Sequence, residues 1–209
     1  MTYLEIIKKL QKQGIRFSKG LNGDEFAKIE FIYNFKFPKE LKAFYSEALP
    51  IEQSAKNPYF TFPVWNNFSV ENISRIEQWM NEPKKRILDE FKNDGTLLTD
   101  LFGCCNIAPF EPKEYENKFS EEQKEKHFYE LEKLLSSIEM LIPIFAHRYL
   151  VLSDKERQPI LSCYGTDIIL YGSDLADYLQ NEFLGKKLNG IYTSDNINNL
   201  AGWKKFVVR

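Results

Sequence analysis

Leu141-Ile-Pro-Ile-Phe-Ala-His-Arg-Tyr-Leu-Val-Leu152 is an almost unbroken apolar and aromatic run. After it come the polar turn Ser153-Asp-Lys-Glu-Arg-Gln158, a second run Pro159-Ile-Leu-Ser-Cys-Tyr164 and a third, Asp167-Ile-Ile-Leu-Tyr171. Short β-branched and aromatic segments separated by polar or glycine-bearing turns predict strands, and connections this short predict an antiparallel meander. Ser173 or Asp174 then caps a helix whose apolar positions are Leu175, Ala176, Tyr178, Leu179 and Phe183, ending at Gly185. The strands are grouped and the helices lie before and after them, so the fold class is α+β, a central mostly antiparallel sheet flanked by helices.

Upstream of the sheet the periodicity is helical. Thr2 with Glu5 is a capping-box pattern, and Leu4, Ile7 and Leu10 with Tyr3 and Ile6 continue a helix up to Gly14. Asp24 caps a second helix using Phe26, Ile29, Ile32 and Tyr33, and Pro38 opens a third over residues 39–48, closed by Pro50. The aromatic and proline-rich stretch 51–68 reads as an extended loop, or as a short strand at 59–62. Ser69 caps a helix carrying Ile73, Ile76, Trp79 and Met80, which Pro83 is expected to end. Residues 86–91 suit a helix or a strand and are followed by an Asn93-Asp-Gly95 turn and a short apolar stretch, 97–102. Ser120 with Gln123 is another capping box, opening a helix with a stripe of Phe128, Leu131, Leu134, Leu135 and Ile138. The Asn-rich stretch 189–202 reads as loop, with 203–208 docking as an edge segment. No repeat or low-complexity linker interrupts the 209 residues, so one domain over 1–209 is expected.

Composition narrows the function. The 43% hydrophobic and 28% charged content suits a folded chain able to bury a sizeable core, without the need for a disulfide or metal staple. The longest apolar stretches, 142–146 and 168–171, are far shorter than the ~18 residues of a membrane span. The N-terminus lacks a basic segment followed by an apolar one, so a cytoplasmic location is expected. With 28 Lys/Arg against 30 Asp/Glu the net charge is −2, which gives no general attraction to nucleic acid or anionic lipid. The distribution is uneven. Residues 1–45 carry nine basic and five acidic side chains and residues 183–209 carry five and one, leaving −10 for the middle of the chain. Such a middle is either a solvated surface or an acidic face that steers a basic partner.

Chemistry-bearing motifs are few. Three cysteines and two histidines at these spacings do not make a tetrahedral zinc site, so no metal and no cofactor is expected. The sequence contains no phosphate-binding glycine loop and no Gly-x-Ser-x-Gly or His-Glu-x-x-His pattern, and a non-enzymatic role follows as the expectation. A Cys163 and His147 dyad is the catalytic alternative, set against Cys163 as a small buried hydrophobe. Alternation along the strand turns His147 and Tyr149 one way and Arg148 the other, leaving Arg148 either paired with an acid such as Asp167 or serving as a guanidinium anchor.

Several stretches, in order, resemble the SUKH superfamily, which includes the yeast cell-wall assembly and killer-toxin-resistance regulator and many small bacterial proteins. They are Phe37-Pro-Lys-Glu-Leu-Lys-Ala-Phe44 preceded by Glu30, Phe62-Pro-Val-Trp-Asn-Asn67, Leu141-Ile-Pro-Ile-Phe-Ala-His-Arg-Tyr149, residues 158–172 and Asp174-Leu-Ala-Asp-Tyr-Leu179. The resemblance covers residues 24–184. It departs at Asn66-Asn67, where relatives often place arginine, and it leaves 104–120 and 186–209 without clear counterparts, segments in which a partner-facing surface is sought. What it implies is a protein-binding scaffold, in bacteria an immunity protein that occludes the site of a cognate polymorphic toxin, often a nuclease, whose cationic surface an acidic inhibitor fits. On that reading the partner-binding residues are Asp154, Glu156 and Asp167, with Trp65, Tyr171 and Arg148 in support, and the partner is a basic protein toxin, without direct nucleic-acid or membrane contact. The alternative implied by the yeast relatives is a regulatory scaffold that binds a host enzyme.

Overall fold

A computed structural model describes residues 1–51, 61–94, 119–155, 157–187 and 190–207. The expectations for 59–60, 95–102, Cys104, Cys105 and Glu156 lie outside the described residues. The chain begins with α1 (Tyr3–Lys12), in which Glu5 N–H donates to Thr2 Oγ1 and Thr2 N–H to the Glu5 carboxylate, as the capping pattern requires. After β1 (Phe17–Lys19), α2 (Gly23–Ile32) is capped by Asn22 and not by Asp24. Glu25 stands three residues after Asn22 and closes the reciprocal bonds at 3.0 and 2.8 Å, while Asp24 lies in the first turn, where its charge suits the helix dipole. Pro38 opens α3 (Lys39–Glu47), which stops at Glu47 because Ala48 turns extended into β2 (Ala48–Pro50), antiparallel to β1.

Helix α4 (Val70–Asp94) passes straight through Pro83, contrary to the expected break, and takes up residues 86–91 and 93–94. The reason is packing. Pro83 is itself buried on a stripe of Ile76, Met80, Ile87 and Phe91, so tertiary contact on both sides offsets the lost backbone hydrogen bond. Next comes α5 (Glu121–Ser137), with the Ser120–Gln123 box formed and Leu131, Leu135 and Ile138 buried.

The meander has four strands, not three: β3 (Leu141–Phe145), β4 (Arg148–Val151), β5 (Ile160–Tyr164) and β6 (Asp167–Gly172), antiparallel in that order. The run 141–152 is a hairpin, because Ala146 adopts φ +49° and turns the chain between Phe145 and Arg148. Helix α6 (Leu175–Leu184) follows, capped by Asp174 and ended by Gly185 at φ +70°. Residues 189–202 are not all loop: Thr193 caps a short α7 (Ser194–Asn199), a 3-10 turn runs Ala201–Lys205, and Val207 bridges Ile168 in parallel.

The sheet's two faces carry two apolar clusters. Ile142, Ile144, Leu150 and Ile160 face α1, α2, α3 and α6, whereas Leu141, Tyr149, Val151, Leu161, Cys163, Ile168 and Leu170 face α5, the second half of α4 and the C-terminal Leu200, Trp203 and Phe206. Because both faces are covered, the strands read as near-continuous apolar runs and not as a polar-apolar alternation.

Candidate functional site

In an antiparallel meander alternate turns share an end. The Ala146-His147 turn and the Gly165-Thr166 turn therefore lie together, and the 153–158 connection lies at the other end, one strand length of roughly 16 Å away for five residues. Helix α4 reaches both turns of the first end. Trp79 Nε1–H donates to Ala146 O at 2.9 Å, and Glu90 accepts from Thr166 N–H at 3.0 Å. These residues are eleven apart, close to three helical turns, and so share a face of α4. Ala146 N–H also donates to Thr61 O at 3.0 Å, which holds its left-handed backbone from a second side. Gly165 takes φ +61° where two-residue turns favour glycine, and the Glu90 carboxylate occupies the place a Cβ would need.

This doubly pinned end displays Tyr164, 73% exposed, with the His147 ring edge-on at 6.0 Å. Asp167 is Tyr164's register partner and is exposed. Burial and the adjacent Arg148 charge hold His147 below the ordinary imidazole range. Tyr164 is the surface residue that periodicity misses, since the sequence gives it no feature to separate it from the other aromatics of the run.

Arg148 lies inward on the α6 side of the sheet. Its Nε meets the Glu182 carboxylate at 3.2 Å, Nη1 donates to Ser162 Oγ at 2.9 Å, and the guanidinium stacks 3.9 Å over the Tyr171 ring. Only 11% of the Arg148 side chain and 18% of that of Glu182 are exposed. The acid paired with Arg148 is thus Glu182, from α6, and not Asp167. The Tyr178 hydroxyl, enclosed near this pair, is pushed up strongly by burial.

The expected partner residues are scattered accordingly. Trp65 is fully buried against Tyr33, Phe35 and Phe37, with centroids 5.6, 6.1 and 5.5 Å away, so it is a core residue and not a surface one. Arg148 and Tyr171, both partly buried, stack on one another and are tied to α6 through Glu182. Asp154 is exposed at the far end of the sheet, so it does not share a site with Asp167, and Glu156 lies outside the described residues. Four acids of the middle chain are held in internal bonds and are not displayed as a free acidic face. Glu139 accepts from Gly202 N–H, Asp174 caps α6, Asp177 binds Lys186 and Ser173, and Glu182 binds Arg148.

The Cys163 and His147 side chains do not form a dyad. Cys163 and Tyr164 leave opposite faces of β5, and the His147 ring meets Tyr164, whereas Cys163 meets His147 through the backbone, its N–H donating to His147 O at 2.9 Å. Burial also pushes the Cys163 thiol far up, away from the nucleophilic thiolate.

The segment 191–207, without a counterpart in the resemblance, is partly internal: Trp203 is fully buried and its Nε1–H donates to Glu139 O at 2.9 Å. Among the described residues no group of three or more His, Cys, Asp or Glu is placed to hold a metal ion, and no helix is long and apolar enough to cross a membrane. Compared with models of protein families, with curated proteins and with solved structures, the chain finds no match.

Proposed function

We propose that this chain is a non-enzymatic protein-binding module of SUKH type, acting as an immunity protein that neutralises a cognate basic protein toxin, such as a nuclease, by occluding its site. The carrying observation is the sheet end held by Trp79 and Glu90, because a rigid display of an exposed aromatic loses little freedom on docking. The ordered sequence resemblance and the helix-flanked antiparallel sheet support the same reading. A site that works by occlusion needs a firm surface and no reacting group.

The test is co-purification of the tagged chain with the product of the large open reading frame beside its gene. A stoichiometric complex that survives gel filtration is expected. A neighbouring product that folds but passes through as a separate species contradicts the reading and favours a regulatory scaffold.

A further inference from the structure

Among exposed aromatics, Phe31 at 87% and Tyr129 at 63% stand on helix faces, whereas Tyr164 ends β5 beside a turn that a hydrogen bond ties to α4. Tyr164 and Asp167 are paired in register across the Gly165-Thr166 turn, so their Cβ atoms lie about 5 Å apart on one side of the ribbon. His147 takes the Tyr164 ring edge-on and leaves ring surface open to solvent. An open aromatic ring beside a carboxylate attracts a cation twice, through the ring quadrupole and through a charge-assisted hydrogen bond. The neighbouring cation does not fill this role, because Arg148 is bound to Glu182, Ser162 and the Tyr171 ring.

We propose that Tyr164 and Asp167 form the partner-contact site and that it receives an arginine or lysine side chain from a basic protein partner. This rests on the protein-binding reading and deepens it by naming the contact. The pinning by Glu90 and Trp79 makes the pair preorganised, and Gly165 leaves open the space into which the Glu90 carboxylate reaches.

The experiment is a set of full-length variants, Tyr164→Ala, Asp167→Lys and, on another element, Tyr192→Ala, each titrated against the co-expressed neighbouring product in 150 mM salt, with circular dichroism to verify folding. Tyr164→Ala is expected to weaken the complex at least tenfold and Asp167→Lys more than that, with Tyr192→Ala unchanged; Tyr164→Phe keeps the ring and retains affinity within about threefold. If a complex forms and both Tyr164→Ala and Asp167→Lys bind within twofold of the parent, the contact lies elsewhere and this proposal falls while the binding reading stands. If the parent chain forms no complex, both fall.

Discussion

Glu30, buried on α2, accepts the backbone N–H of Phe37 at 3.0 Å, and its carboxylate also meets Lys36 and Lys42, each at 2.8 Å. One acid thus fixes the chain between α2 and α3, where Asn34 takes a left-handed φ of +52°, and sets Phe37 among Phe26, Phe35, Tyr45 and Trp65.

Burial alone would raise the Glu30 carboxyl, but the bonds from Lys36, Lys42 and Phe37 outweigh it and bring it down to about 2. An unfolded glutamate titrates near ~4.3, so the stabilisation is fully present above that value and is lost as pH falls through about 2. Glu30→Gln is expected to cost about 2 kcal/mol at pH 7 and to flatten the acid limb of stability between roughly pH 4 and 2, read by urea unfolding at several pH values. An unchanged acid limb would contradict this role.

Gly165 and Glu90 should couple. Gly165→Ala meets the Glu90 carboxylate and pays a left-handed backbone cost as well, for a loss of about 2–3 kcal/mol, whereas in a Glu90→Ala background only the backbone cost of about 1 kcal/mol remains. A double-mutant cycle in chemical denaturation checks it, and strictly additive losses would show that the turn and α4 are independent.

Arg148 is expected to act in stability before binding. Arg148→Ala leaves the Glu182 carboxylate and Ser162 without their partner in a largely enclosed setting, for a loss of about 3 kcal/mol, and Arg148→Lys rescues only part of it because one ammonium does not reproduce the planar fork. Thermal melts of the two variants decide this; a loss below about 0.5 kcal/mol would return Arg148 to the surface.

The C-terminal segment should be part of the folding unit. Trp203→Ala removes a fully buried ring from the cluster under the sheet and is expected to cost about 3–5 kcal/mol. Gly202→Ala should also destabilise, since an added Cβ meets the Ile138 side chain. A melting temperature insensitive to both would mean that the segment is dispensable.

Much of this architecture is legible in the sequence. Thr2 with Glu5 and Ser120 with Gln123 announce their helices because both halves of each capping box are local in sequence. The apolar runs and polar turns of 141–171 are likewise local. What escaped was non-local. Pro83 stays helical because two clusters grip α4, and the 141–152 run breaks at Ala146, a residue without turn propensity, because Thr61 and Trp79 hold it. The candidate site is legible only in part. Asp167 is legible as an exposed acid, but Trp65, Arg148 and Tyr171 carry the residue types of a contact surface and are drawn inward by partners distant in sequence, and Tyr164 stands out only through the pairing of β5 with β6.

The central claim is neutralisation, and growth is its most direct readout. Induction of the neighbouring open reading frame alone is expected to arrest cells, and co-expression of this chain to restore growth, with rescue lost in Tyr164→Ala/Asp167→Lys. Arrest that persists at equal expression of the folded parent chain would contradict the claim.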